Sequence, residues 1–170
     1  RELRDPDVID RILGIMAYTG LEAGELEIEI TESAAMGRVD HTARMLARLN
    51  EHGVRISIDD FGTAYSSLNY LKRLPVHAIK IDQSFISDME GDAANHPEDA
   101  AIIRAIIGLG DNLGMQVIAE GIENQVQWDF LLDSGCLQGQ GYLFSYPMLA
   151  EEVEPLVVAS RGAPAGSPPP

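Results

Sequence analysis

Hydrophobic and polar residues repeat along the chain with two different periods. Residues 26–32 and 54–59 alternate apolar with polar positions, which predicts two β-strands, and 78–82, 115–120 and 139–144 complete a predicted set of five. Apolar residues spaced three or four apart predict helices between and around these strands. The helices are predicted over 8–18, 42–51, 68–74, 100–113, 124–132 and 151–159, the last interrupted or started late by Pro155.

Strands and helices alternate along the chain, which predicts an α/β fold with a parallel sheet and helical crossovers. Two architectures remain open, a doubly wound open sheet and a (β/α)8 barrel. A closed barrel needs eight strands and about 250 residues. The chain has 170 residues and begins with Arg1 rather than Met, so a barrel would lack three strands through N-terminal loss.

Two segments carry too little apolar side chain to contribute to a core. Residues 88–99 are polar and acidic, which predicts a solvated loop, and the Gly/Ala/Pro-rich residues 161–170 predict a disordered tail. We therefore expect one domain over residues 1–160.

The charge balance excludes several classes of function. The chain has 12 Lys plus Arg against 27 Asp plus Glu, a net charge of −15, which argues against binding to DNA, RNA or an anionic membrane. No signal peptide or membrane span is evident in the sequence. The single Cys136 excludes an internal disulfide and fits a reducing compartment, so we expect a cytoplasmic domain.

Polar residues recur in one phase near the carboxyl ends of the predicted strands. Glu29, Asp59, Lys80 and Glu120 all lie opposite the apolar residues of their strands. Because helices cover the apolar face, these side chains are expected to converge inside the sheet at its carboxyl edge, where α/β folds place their sites. Ordinary charges at solvated strand ends are the alternative interpretation.

The acidic residues of this set, with Asp60, point to a metal site. Four carboxylates at one edge would force some to protonate unless cations neutralise them. Oxygen ligands favour Mg²⁺ or Mn²⁺ over zinc, and the adjacent Asp59 and Asp60 can hold two ions about 3.5–4 Å apart. Such a pair suits attack of water on a phosphodiester, with Lys80 holding the water or offsetting developing charge.

The motifs that carry these residues occur in the order of a known family. They are Glu29-Ile-Thr-Glu32-Ser33, Ile58-Asp-Asp-Phe-Gly-Thr-Ala-Tyr-Ser-Ser-Leu68, Ile79-Lys-Ile-Asp-Gln-Ser-Phe85, Val117-Ile-Ala-Glu-Gly-Ile-Glu123 and Gln140-Gly-Tyr-Leu-Phe144. Together they resemble the EAL domain, the bacterial phosphodiesterase that opens cyclic di-GMP to the linear dinucleotide pGpG. The resemblance covers the chain except its tail.

The resemblance implies an incomplete (β/α)8 TIM-like barrel with about five of its eight strands, and two Mg²⁺ or Mn²⁺ ions per complete site. It implies a role for each matching residue: Glu29 as a ligand of the first metal, Asp59 as the bridging ligand, Asp60 and Glu120 as ligands of the second, Lys80 beside the catalytic water, Gln140 as the late site glutamine, and Glu32 as support for the loop after the aspartate pair. Glu123 is either a neighbour that supports the ligands or an acid favoured at a helix N-terminus.

The sequence also departs from the family pattern. The Glu-x-Leu signature and the asparagine of the following strand are absent, and both would lie upstream of Arg1. We therefore expect the parent protein to hydrolyse cyclic di-GMP and the 170 residues alone to be inactive. Ala64 replaces a glycine in the loop after the aspartate pair, and this replacement can misplace the loop if the position needs a positive φ. Tyr146 stands where a basic residue is common in the family.

Expectations about partners follow from the same resemblance. Cyclic di-GMP is the expected ligand, the full-length protein is expected to form a homodimer, and an upstream sensory or GGDEF-type domain and an upstream membrane anchor are compatible with the sequence.

Two other functions stay open. One is a degenerate domain that binds the dinucleotide or a protein without hydrolysis, and the other is an unrelated Mg²⁺-dependent barrel, which explains the carboxylates but not the ordered motifs.

Overall fold

The structure is a computed structural model that describes residues 5, 7–63, 68–87 and 97–160. It contains the strands β1 (Glu27–Thr31), β2 (Arg55–Phe61), β3 (Ala78–Ile81), β4 (Gln116–Ala119) and β5 (Gln138–Gly139). Its helices are α1 (Val8–Thr19), α2 (Glu32–Gly37), α3 (Val39–Glu51), α4 (Leu68–Leu71), α5 (Ser84–Ser87), α6 (Pro97–Leu113), α7 (Gln125–Asp133) and α8 (Ala150–Ser160).

The five strands form one parallel sheet in the order β1-β2-β3-β4-β5. Each strand therefore lies beside its neighbour in the chain, with helices in the connections. A doubly wound sheet reverses its strand order at a switch point, whereas a (β/α)8 barrel does not. The order confirms the incomplete TIM-like barrel and excludes the doubly wound alternative for the described strands.

The apolar phase of the central strands builds the core. Ile56 and Ile58 of β2 and Ile79 and Ile81 of β3 are fully buried. They belong to one cluster with the apolar faces of the covering helices, which include Leu46 and Leu49 of α3 and Ile103 and Ile106 of α6. Burial of a side chain of this size contributes about 1.5–3 kcal/mol, so the sheet and helices are stabilised by the same set of contacts. The opposite phase is left for polar residues inside the barrel.

The fifth strand is much shorter than predicted. Only Gln138 and Gly139 pair with β4, whereas 139–144 was expected to be strand. Beyond Gly139 the chain turns over Ile122, whose carbonyl accepts a hydrogen bond from the Leu143 amide at 2.9 Å. A Cβ atom at Gly141 would lie 2.1 Å from the Ile122 carbonyl oxygen, so only glycine permits this close approach.

Other differences concern the helices. The short helices α2 and α5 were not predicted, and residues 97–99, expected in a loop, form the first turn of α6, with Pro97 at its first position. Pro155 lies inside α8, which begins at Ala150, so the expected interruption or late start is wrong. Ala64, residues 88–96 and the tail 161–170 lie outside the described residues.

None of the described helices is both long and apolar enough to cross a bilayer.

Cys136 offers a direct test of this packing. Its side chain is buried, its thiol donates to the Gln138 carbonyl at 3.3 Å, and burial raises the pKa of the thiol. We expect the folded protein to react slowly with a disulfide reagent at a pH near the ordinary thiol pKa, because both exposure and thiolate are scarce. Urea should release a rapid reaction of one thiol per chain, and rapid labelling without denaturant would contradict the fold.

Candidate functional site

Lys80 lies at the centre of a cluster of carboxylates at the carboxyl edge of the sheet. Its side chain is only 5% exposed, and its Nζ lies 2.5 Å from Glu120 Oε1, 2.6 Å from Glu29 Oε1 and 3.8 Å from Asp59 Oδ1. Glu29 lies on β1, Asp59 on β2 and Lys80 on β3, and Glu120 directly follows β4. The predicted convergence of the four side chains is therefore confirmed.

The strand register explains why they meet. Glu29 lies beside Ser57, so Asp59 occupies the next inward position toward the carboxyl edge. Lys80 lies beside Ile118, two residues before Glu120. Successive side chains of a strand point to opposite faces, so all four side chains share the interior face. The long lysine side chain then reaches toward the carboxylates at the edge.

The charges of the cluster shift its ionisation. Burial by itself would lower the pKa of Lys80, but its hydrogen bonds to Glu120 and Glu29 and the nearby negative charges outweigh burial and raise the pKa. Burial raises the pKa of Glu120, and repulsion from Asp59 and Glu29 raises it further. These two effects outweigh the lowering of the Glu120 pKa by Lys80. Three carboxylates therefore share one firmly protonated ammonium.

Asp60 has an unusual backbone conformation and a second acidic neighbour. Its φ of 53° is left-handed, and its amide donates to Asp59 Oδ1 at 3.0 Å. A non-glycine residue in this region is strained, and such strain concentrates at functional sites. Burial, the charges of Asp59 and Asp82, and a hydrogen bond with Asp82 raise the pKa of Asp60. Sequence reasoning did not select Asp82, although it directly follows β3.

Glu32 is fully buried and connects two elements of the site. It is the first residue of α2, and its Oε2 accepts a hydrogen bond of 3.0 Å from the amide of Gly62, just after β2. Gly62 has a φ of +100°, and a Cβ there would lie 2.9 Å from the ring of Phe85. This contact supports the expected role of Glu32 in holding the start of the loop after the aspartate pair.

Gln140 and Gln127 fix the segment that carries Glu120 and Glu123. Gln140 Nε2 donates to Glu120 Oε1 at 2.8 Å. Gln127 is buried, its Oε1 accepts from the amide of Glu123 at 2.7 Å, and its Nε2 donates to the carbonyl of Ile86 at 3.0 Å. Gln127 thus joins the loop after β4 to α5. It was not selected from the sequence, although its spacing from Asn124, which precedes α7, is that of a capping box.

The donor set fits hard divalent cations in its chemistry. It offers carboxylate oxygens in excess over the one ammonium, and two of the acids, Asp60 and Glu120, have raised pKa values that a cation would reverse. Within the described ranges, however, no three His, Cys, Asp or Glu side chains form a compact metal-binding group. The point at which Glu29, Asp59 and Glu120 converge is taken by Lys80 Nζ.

The family of the chain follows from comparison with known proteins. A family model described as the EAL domain matches residues 1–147. The chain belongs to the EAL-domain family.

Two curated relatives come from Pseudomonas aeruginosa. The bifunctional diguanylate cyclase/cyclic di-GMP phosphodiesterase MucR is 44% identical over 146 residues, which covers 86% of this chain and 21% of MucR. The cyclic di-GMP phosphodiesterase NbdA is 44% identical over 154 residues, which covers 91% of this chain and 19% of NbdA. The EAL chain therefore spans about a fifth of the length of these relatives.

Solved structures show the same fold. The MucR phosphodiesterase in complex with cyclic di-GMP superposes with a TM-score of 0.84 at 42% identity, covering 89% of this chain and 60% of that chain. The manganese and cyclic di-GMP complex of Klebsiella pneumoniae BlrP1 superposes with a TM-score of 0.75 at 30% identity, covering 86% and 36%. The TIM-like architecture of the described sheet is thereby confirmed.

The contacts of Gln127 predict a loss of stability on mutation. Gln127→Leu leaves the amide of Glu123 and the carbonyl of Ile86 without this partner, and the free energy of unfolding should fall by about 2–3 kcal/mol. Urea titration followed by circular dichroism measures the change. Gln125→Leu, on the exposed side of the same helix, is the matched control and should cost less than about 0.5 kcal/mol. Equal losses of unfolding free energy in the two variants would contradict the structural role assigned to Gln127.

Proposed function

We propose that the carboxylate cluster around Lys80 serves the hydrolysis of cyclic di-GMP to linear pGpG with two Mg²⁺ or Mn²⁺ ions. The observation that carries the proposal is the approach of Glu29, Asp59 and Glu120 to a single ammonium at the carboxyl edge. Two relatives named as cyclic di-GMP phosphodiesterases, and a relative crystallised with manganese and cyclic di-GMP, support this assignment.

The residues of the cluster divide into ligands of two cations in this proposal. Glu29 would hold the first ion, Asp59 would be a ligand shared by both, and Asp60 and Glu120 would hold the second. When bound, divalent cations supply a water nucleophile at neutral pH and offset the charge of the phosphodiester. The adjacent positions of Asp59 and Asp60, whose side chains flank a strained backbone turn, suit a shared ligand beside a terminal one.

Lys80 contributes a fixed positive charge. Its raised pKa keeps Nζ protonated at neutral pH, and its contacts with Glu29, Asp59 and Glu120 place the ammonium where the carboxylates meet. From this position Nζ would donate a hydrogen bond to the attacking water or to the oxygens of the phosphodiester. Charge placed in advance where negative charge develops is among the largest sources of catalysis.

The remaining site residues position these groups. Gln140 holds Glu120 through its 2.8 Å hydrogen bond, and Glu32 holds the amide of Gly62 at the start of the loop after the aspartate pair. Glu123 lines the cleft beside Glu120, where it faces the substrate or supports the ligands. We assign all three to substrate binding or loop support.

We extend the proposal to the whole protein as follows. The working domain is cytoplasmic and homodimeric, with a contact near the loop after β2, and it acts beside a sensory or cyclase domain. The name of MucR, a bifunctional diguanylate cyclase and phosphodiesterase, supports a cyclase. The structural match covers 60% of the MucR phosphodiesterase chain, and we expect the 170 residues alone not to turn over substrate.

The proposed reaction predicts the effect of one isosteric change. Asp59→Asn, in a protein that carries this chain within a whole EAL domain, removes the bridging charge and should lower the rate of pGpG formation with Mg²⁺ by at least about a hundredfold. Chromatography of the nucleotide products measures the rate. Asp111→Asn, at an exposed position of α6, makes the same chemical change away from the cluster and should leave the rate unchanged.

Two results decide between the functions. Equal rates for wild type and Asp59→Asn would refute the metal-dependent hydrolysis. Tight binding of cyclic di-GMP with no turnover in the wild type would instead identify a non-catalytic member of the family.

Metal binding can be measured apart from turnover. Mn²⁺ titration of the chain, followed by the electron paramagnetic resonance signal of free Mn²⁺, should detect binding that Asp60→Asn weakens by about tenfold or more, the loss typical of an altered metal site. Asp133→Asn, on the exposed side of α7, is the control of equal charge. Identical Mn²⁺ affinity in the wild type and Asp60→Asn would remove Asp60 from the metal site.

A further inference from the structure

A cavity of about 520 Å³ lies among the helices α2, α3 and α4. Its walls are the end of α2, the first turns of α3, and one side chain each from α4 and from the turn that follows α4. None of the residues of the carboxylate cluster lines it, so the cavity is a separate place on the molecule. A volume of this size is typical of sites that bind small molecules.

The charge of this cavity is opposite to that of the chain. Among the described residues that line it, Arg38, Arg44 and Arg73 face a single acid, Asp40. The whole chain has 12 Lys plus Arg against 27 Asp plus Glu, so three of its 12 cationic side chains meet at one concave surface. Concave surfaces of one charge raise the local concentration of ligands of the opposite charge. The cavity therefore favours an anion.

Two of the three arginines have no acidic partner. Within the described part of the chain, neither Arg38 nor Arg44 forms an ion pair. Arg73 Nη2 pairs with Asp40 Oδ1, but a guanidinium has five N–H donors, so others remain for a ligand. Guanidinium groups bind phosphate and carboxylate groups through paired hydrogen bonds. The unused donors therefore suit a ligand that carries one of these groups.

The backbone that carries the arginines is anchored in the core. Arg38, His41 and Arg44 recur every third residue, which places them on one side of the start of α3. The fully buried Leu46 fixes α3 to the hydrophobic core, and the fully buried Leu71 fixes α4. Because both walls of the cavity are ordered before a ligand arrives, binding loses less entropy there.

Tyr70 distinguishes between the two kinds of anion. It lines the cavity and is 42% exposed. The amide of Arg73 donates to the Tyr70 carbonyl at 2.9 Å, so the aromatic ring and the guanidinium belong to one turn. Aromatic side chains stack with nucleobases. A nucleotide uses both the arginines and the ring, whereas an acidic peptide uses the arginines alone, so the lining favours a nucleotide.

We propose that this cavity binds a nucleoside phosphate, with the phosphate on the three arginines and the base against Tyr70. The site goes beyond the proposed hydrolysis and does not depend on it. The cavity also adjoins both elements that border the loop after the aspartate pair, because α2 begins with Glu32, which holds the start of that loop, and α4 follows the loop. A bound nucleotide contacts both elements at once.

The test uses adenosine 5′-monophosphate (AMP), adenosine, which lacks the phosphate, and ribose 5-phosphate, which lacks the base. Isothermal titration calorimetry of the full chain measures their affinities in phosphate-free buffer from which a chelating resin has removed divalent cations. Without cations the carboxylate cluster repels phosphate, so binding reports on the arginines. AMP should bind at least about tenfold more tightly than either of the other probes.

Variants locate the binding. Arg44→Gln should weaken AMP binding by about tenfold, the effect of losing hydrogen bonds to a charged group. Tyr70→Leu should also weaken AMP binding by about tenfold and leave ribose 5-phosphate unaffected. Arg48→Gln removes the same charge from α3 at a residue that pairs with Asp10 outside the cavity, and should leave AMP binding unchanged. If Arg44→Gln does not fold, as judged by circular dichroism, Arg38→Gln provides the same test.

Four results would overturn the proposal. Absence of AMP binding would remove the site, and adenosine that binds as tightly as AMP would remove the arginines from it. Equal losses in Arg44→Gln and Arg48→Gln would show only a general attraction to positive charge. A glutamate-rich peptide that binds as tightly as AMP, with both affinities unchanged by Tyr70→Leu, would identify a docking surface for an acidic protein instead. No turnover is measured, so each of these failures leaves the proposed hydrolysis standing.

Discussion

The buried ammonium of Lys80 holds together carboxylates that would otherwise repel one another at the carboxyl edge of the sheet. Glu29, Asp59 and Glu120 belong to separate parts of the chain, and all three lie within 4 Å of Nζ. A buried charge without partners costs several kcal/mol, so the lysine needs the carboxylates as much as they need the lysine. The excess of negative charge that remains makes the same place suitable for divalent cations.

This arrangement requires the parallel order of the strands. Because β1 to β4 lie side by side in chain order, one inward-facing position on each strand or just beyond it contributes to a single cluster. The apolar phase of the same strands packs under the helices, with Ile56, Ile58, Ile79 and Ile81 fully buried. A shift of register by one residue would exchange the two sets, so the core that stabilises the sheet also fixes the position of the charges.

The period of the strands was enough to predict the cluster, because Glu29, Asp59, Lys80 and Glu120 lie in or next to regular strands. Asp82 and Gln127 were missed because they lie in turns and caps, where alternation carries no information about side-chain direction. The fifth strand was overestimated for a similar reason. Its apolar residues Leu143 and Phe144 suit a strand, but the close approach of Gly141 to Ile122 is a tertiary contact that turns the chain away. Pro155 was expected to interrupt or delay the last helix, because proline disfavours a helix interior, but α8 continues through it.

The carboxylates of this edge are proposed to bind divalent cations around one fixed lysine. Anomalous diffraction from crystals of a whole EAL domain containing this chain, grown with Mn²⁺, tests that claim most directly. We predict manganese peaks within bonding distance of Asp59 and of its neighbours Glu29, Asp60 and Glu120, with Lys80 Nζ close by. Peaks at other residues, or carboxylates that point away from one another, would contradict it.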